Sequence, residues 1–138
     1  MPPIANPSLR WGFNQHESLL WQLLIQLAQA GVHAFATSGT LLGLKREGQL
    51  LPFDKDIDIG LPFDEIPVAM ACLQQSGWRE HRHSHGLINP RSMIHNTSGL
   101  YLDLCGIAIE AETGKTIGGF WMKGIPSDWN RITEYPTL

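Results

Sequence analysis

Over Asp56-Ile57-Asp58-Ile59, carboxylates and isoleucines alternate residue by residue. A strand, whose successive side chains point to opposite faces, sends both isoleucines into a core and leaves both carboxylates on the other side. The two carboxylates then lie about 6.6 Å apart along one face, a separation suited to metal ions held between them. The pattern recurs in Tyr101-Leu-Asp-Leu-Cys105, which turns Leu102 and Leu104 inward and Asp103 outward. If the two strands are neighbours, Asp56, Asp58 and Asp103 converge. Three ionised carboxylates packed together repel and raise one another's pKa values, a penalty that Mg²⁺ or Mn²⁺ removes by taking hard oxygen ligands. The plainer alternative is a solvated strand entry in which Asp54, Asp56 and Asp58 simply face water.

The rest of the chain supplies the layers such a strand needs. Asn14 and Glu17 have the spacing of a capping box, predicting a helix from there to about Ala30. Leu20, Leu23, Leu24 and Leu27 share one face of it, and Gly31 is its stop. Val32 to Thr37 reads as a short buried strand. Ser38-Gly39-Thr40 then turns the chain into a short helical segment from about Leu41 to Arg46, ended by Gly48. Asp64 is placed to cap a helix from about Glu65 to Gln75, with Pro67 in its first turn and Gly77 at its end. Beyond it the texture is β: Trp78 to His83, Arg91 to His95, Tyr101 to Ile109 and Thr116 to Met122, the last two joined by a turn at Glu112-Thr113-Gly114-Lys115. The segment after Gly124 reads as irregular. The division expected is an arm over 1–13, one domain over 14–124 and a tail over 125–138.

Composition narrows the function classes. With 138 residues, 43% hydrophobic and 17% charged, the chain suits a single globular domain. A formal net charge of -3 provides no global basic field, so non-specific nucleic-acid binding is not expected and any anion must be bound locally. Cys72 and Cys105 are too few for a disulfide framework and match no zinc spacing. Gln22, Gln26 and Gln29 interrupt the richest apolar stretch, so no membrane span is expected, and the N-terminus lacks the basic and apolar regions of a signal peptide. A soluble, cytoplasmic protein is the expectation.

The turn and the carboxylates gain meaning together. A strand ending at Ser38-Gly39-Thr40, with a helix beginning there, exposes backbone N–H groups able to hold phosphate oxygens. With Asp56-x-Asp58 and the later Asp103 strand, this resembles the nucleotidyltransferase fold of the DNA polymerase beta type. Ser38-Gly-Thr-Leu-Leu-Gly43, Arg46-Glu-Gly48, Leu51-Pro-Phe-Asp54 and Asp56-Ile-Asp-Ile-Gly60 narrow the resemblance to the LicD/fukutin family. Phe53 stands where that family often has Trp, and its members usually carry more chain after the third carboxylate.

The resemblance spans about Leu19 to Trp121 and implies an α+β nucleotidyltransferase-like fold, a mixed sheet flanked by helices. It implies transfer of phosphocholine or an alditol phosphate from a CDP-linked donor to a hydroxyl acceptor such as a glycan. Asp56, Asp58 and Asp103 are then the catalytic and metal-binding residues, for Mg²⁺ or Mn²⁺. Ser38, Gly39 and Thr40 bind the donor phosphates, with Arg46 as a phosphate clamp. Two other readings stand beside it: nucleotidyl transfer from an NTP, and a non-catalytic module that binds a nucleotide or sugar phosphate.

Three further signals are set aside. Thr113-Gly-Lys-Thr116 has the tail of a phosphate-binding P-loop, but position 109, where its first glycine belongs, is Ile. His81, His83 and His85 alternate as ligands on one strand face do, yet no Cys or acidic residue at zinc spacing accompanies them; an exposed polar segment, or one that faces substrate, is expected instead. Trp121 and Trp129 are read as packing residues, with stacking on a base or an acceptor as the alternative.

Overall fold

The computed structural model describes residues 7–37, 40, 45, 56–109, 111–119, 121–122 and 132–135. The chain runs α1 (Pro7–Gln29), β1 (Phe35–Ala36), β2 (Asp56–Pro62), α2 (Ile66–Gln75), β3 (Trp78–Glu80), β4 (Leu87–Asn89), β5 (Arg91–His95), β6 (Tyr101–Ile109), β7 (Thr116–Gly119), β8 (Trp121–Met122) and β9 (Ile132–Tyr135). The main sheet has the order β1-β2-β6-β5-β3, and β6 continues into pairing with β7, which pairs with β9. Among the described strands only β2 and β6 run parallel; their neighbours are antiparallel, so the sheet is mixed and the fold is α+β. β4 and β8 form a separate two-stranded ladder.

The alternation in β2 and β6 sorts their side chains as the sequence requires. Ile57, Ile59, Leu61, Leu102 and Leu104 are buried in one cluster with Leu20, Leu23 and Leu27 of α1 and Ile66, Ala69 and Leu73 of α2. Leu24 packs at the edge of that cluster. The end of α1 shows why Gly31 is needed. Its φ is +83°, the Gly31 N–H donates to the Ala28 carbonyl, and the Val32 N–H donates to the Leu27 carbonyl. This is a Schellman closure, in which a left-handed residue lets the chain cap the helix's last carbonyls and fold Val32 back into the core.

Several boundaries differ from expectation. α1 starts at Pro7, so the segment read as an arm contributes about two turns and the Asn14/Glu17 box lies inside the helix. Proline is well suited to the first helical position, and elongation of an existing helix outweighs one local cap. β1 is two residues at the sheet edge, not a buried strand over 32–37, and Phe35 is exposed. Asp64 does not cap α2: a 3₁₀ turn at Phe63–Glu65 precedes the helix, Glu65 is the N-cap, and it makes no side-chain cap bond. Instead its carboxylate accepts from the His33 backbone N–H and pairs with His33 Nδ1 at 2.8 Å. The strand begun at Trp78 stops at Glu80, because Arg82–Ser84 form another 3₁₀ turn. Glu80 bonds Ser84 and Arg91 there, tying that turn to β5.

The stretch Thr116 to Met122 is two strands with different partners, β7 on β6 and β8 on β4. Leu87–Asn89, outside every element expected from the sequence, is β4, and Ile132–Tyr135, in the segment read as irregular, is β9, which joins the main sheet through β7. The expected turn before β7 is present, with Gly114 at φ +70°. Of the short helix expected over 41–46, only Lys45 lies among the described residues; it is helical, as is Thr40 just before it. No helix among the described residues is long and apolar enough to cross a membrane.

Candidate active site

The parallel pairing of β2 with β6 settles the question the sequence left open. Asp58 stands directly opposite Asp103, and Asp56 stands opposite Tyr101. Their strand neighbours are fully buried on the helix side, so the three carboxylates share the opposite face. With strands about 4.8 Å apart, the backbones of Asp58 and Asp103 are adjacent, and Asp56 is one pleat away. Asp58 and Asp103 are half-buried, and Asp56 is exposed.

Neighbouring polar groups hold this arrangement. Ser92 of β5 is the register partner of Asp103 on its other side, and Ser92 Oγ donates to Asp103 Oδ1 at 2.6 Å. Asp58 is gripped through its own backbone. Its carbonyl accepts from the Thr37 N–H at 3.0 Å, and its N–H donates to Thr40 Oγ1 at 2.8 Å. Thr37 precedes the expected phosphate turn and Thr40 is its last residue, so two hydrogen bonds tie that turn's ends to the residue bearing a central carboxylate. Ser38, Gly39 and Arg46 themselves lie outside the described residues. Thr40 is buried, and its hydroxyl is engaged with Asp58, which gives its side chain a positioning role.

Replacing Thr40 by Val keeps the shape and removes the acceptor, leaving the Asp58 N–H unsatisfied. Thr40→Val is expected to cost about 1–3 kcal/mol of stability by urea denaturation, whereas Thr40→Ser, which keeps the oxygen, should cost less.

The thiol of Cys105 reports the field on this face. Burial and then the negative charges of Asp58 and Asp103 push its pKa up to about 12. The donor set, hard carboxylate oxygens in a shared negative field, is of the kind that Mg²⁺ or Mn²⁺ takes. Among the described residues no three His, Cys, Asp or Glu side chains are gathered round one point for an ion. The register therefore aligns the carboxylates at backbone level, and Ser92 turns Asp103 toward β5.

The remaining sequence candidates fall elsewhere. His81, His83 and His85 do not share a strand face: His81 is the N-cap of the 3₁₀ turn, and His83 stacks on it. His85 faces Glu80. Trp121 is in β8, and Trp129 lies outside the described residues. Sequence reasoning passed over Thr37 and Ser92. Ser92 was legible as the wet-face neighbour of Met93 in a correctly placed strand, but its bond to Asp103 depends on which strand sits beside which.

A family model for the LicD/FKTN/FKRP nucleotidyltransferase domain matches residues 31–123, a span that contains β1, β2, β6 and all three carboxylates. The chain belongs to the LicD family. Two solved structures share this LicD-family chain's fold. The antibiotic-resistance factor ANT(2'')-Ia, solved in solution, superposes with a TM-score of 0.60 at 15% identity, over 83% of this chain and 55% of its own. The lincosamide antibiotic adenylyltransferase LnuA, crystallised with lincomycin, superposes with a TM-score of 0.55 at 19% identity, over 86% of this chain and 78% of its own. The chain thus spans little over half the length of ANT(2'')-Ia. At these identities the likeness is one of fold, and the fold is that of the nucleotidyltransferases. No curated protein matches the chain.

Proposed function

We propose that this LicD-family chain transfers a phospho-alcohol group, phosphocholine or an alditol phosphate, from a CDP-linked donor to a hydroxyl acceptor such as a glycan. The observation that carries the reading is the register of Asp58 against Asp103 beside a turn tied to Asp58 by Thr37 and Thr40. Asp56, Asp58 and Asp103 would hold Mg²⁺ or Mn²⁺, which when bound neutralises phosphate charge and lowers the pKa of a coordinated hydroxyl. The backbone N–H groups of Ser38, Gly39 and Thr40 hold the donor's diphosphate. Arg46, always protonated, balances the charge that develops on the leaving CMP. Asp103 accepts the acceptor hydroxyl's proton, and Ser92 keeps its carboxylate aimed. The acceptor oxygen forms a bond to phosphorus as the bond to the CMP oxygen breaks.

Incubation with CDP-choline, CDP-ribitol or CDP-glycerol and Mg²⁺ is expected to release CMP, slowly to water and faster when a hydroxyl acceptor is supplied. Chromatography of the nucleotide products checks this, with Asp103→Asn as control. CMP formed equally by that variant removes Asp103 from the mechanism. Pyrophosphate from an NTP, with no CMP from any CDP-alcohol, replaces this reading by nucleotidyl transfer.

A further inference from the structure

The open face extends beyond the carboxylates in one direction. Asp58, Asp103 and Ser92 occupy successive strands in one row. His81 continues that row, because its N–H donates to the Ser92 carbonyl at 2.8 Å where β3 ends. The His81 ring meets the Tyr101 ring edge-on at 5.3 Å and is stacked on His83 at 4.7 Å. Tyr101 is one pleat before Asp103 on β6 and opposite Asp56, and it is 39% exposed. Three rings therefore form a ledge on the carboxylate face that starts at Tyr101 on Asp103's own strand and leads toward β3, whose backbone at His81 is two strand spacings, about 10 Å, from that of Asp103.

We propose that Tyr101, His81 and His83 form the acceptor subsite, where the ring of a polyhydroxylated carbohydrate rests while its hydroxyl reaches Asp103. This deepens the transferase reading and rests on it for the word acceptor. The sheet order supplies the direction. The expected donor turn follows β1 at one edge, and the ledge lies toward β3 at the other, with Asp58 and Asp103 between them. In-line displacement needs the attacking oxygen on the side opposite the leaving group, which is the ledge side.

The chemistry suits the same ligand. Aromatic rings bury the apolar C–H face of a sugar, and imidazole nitrogens bond its hydroxyls. The His83 N–H donates to His81 Nδ1 at 3.3 Å, so in the neutral His81 ring the proton sits on Nε2 as a donor.

The test is an NMR titration with methyl glycosides of galactose, glucose and N-acetylgalactosamine, and separately with CDP, each with Mg²⁺. The chain has two tyrosines and six histidines, so ring signals are assignable from single variants. At least one glycoside is expected to shift the Tyr101, His81 and His83 ring signals, with CDP leaving them in place. Tyr101→Ala should weaken glycoside binding about tenfold without weakening CDP. Failure of every glycoside at millimolar concentration to move these signals, or movement of the same signals by CDP, overturns the proposal. Loss of CDP binding altogether counts against the donor reading of the preceding section, and the glycoside shifts are read independently of it.

Discussion

Asp58→Asn is expected to lower CMP release from a CDP-alcohol by about a thousandfold, equivalent to about 4 kcal/mol at the transition state. The substitution keeps the side chain's shape and removes one of the two charges set opposite each other by the β2/β6 register. Its backbone bonds to Thr37 and Thr40 do not involve the side chain, so the fold should persist, with unchanged circular dichroism. A second readout is independent of activity. Cys105 has its pKa raised to about 12 by burial first and by Asp58 and Asp103 next, so removing one negative neighbour must lower it. The alkylation rate of Cys105 against pH, in a Cys72→Ser background, should rise at lower pH in Asp58→Asn than in the parent. An unchanged thiol profile places the Asp58 charge away from Cys105; full activity removes Asp58 from the chemistry.

Asn89→Leu is expected to destabilise the protein by roughly 3–5 kcal/mol, because three backbone groups lose their partner at once. Asn89 is 5% exposed, and its side chain substitutes for a missing strand. β5 leaves β6 after the Arg91/Leu104 pair, and β7 joins only at Ala108. In the interval the Gly106 N–H donates to Asn89 Oδ1 at 2.6 Å, and Asn89 Nδ2 donates to the Gly106 carbonyl at 3.0 Å and the Gly119 carbonyl at 2.8 Å. One amide thus completes β6 and fastens β7 to it. Gly106 permits the close approach: a Cβ there would lie 2.7 Å from the Phe63 ring, 2.8 Å from Ile66 Cδ1 and 3.0 Å from Asn89 Oδ1. The loss should appear as a melting temperature lower by about 10–20 °C and a lower urea midpoint with an unchanged slope. A shift of only a degree or two shows that water or a neighbouring group replaces the amide.

Elements whose signal is periodic were legible. β5 and β6 have the bounds read from their alternation, and the buried face of α1 is the one its leucine spacing picks out. The Asp56, Asp58 and Asp103 strands were placed on the same reasoning, whereas the family was reached through the resemblance of the motifs around them. Elements whose existence depends on a partner were not legible. Ile132–Tyr135 is a strand because β7 offers an edge to it, and nothing in four residues announces such an edge; the strand read over 32–37 exists only as Phe35–Ala36, where β2 offers its edge. The helical start at Pro7 was hidden because local capping chemistry at Asn14 said otherwise.

The amino-acid order alone decided which side chains face the core and which face water, since a period of two or of 3.6 is a property of the backbone. It therefore determined that Asp56, Asp58 and Asp103 are on wet faces of strands. Only the tertiary structure decided that those faces are the same one, that Asp58 is opposite Asp103, and that Ser92, Thr37 and Thr40 hold them. Strand adjacency and register are set by long-range packing of the buried faces, and a slip of one residue would turn every carboxylate into the core.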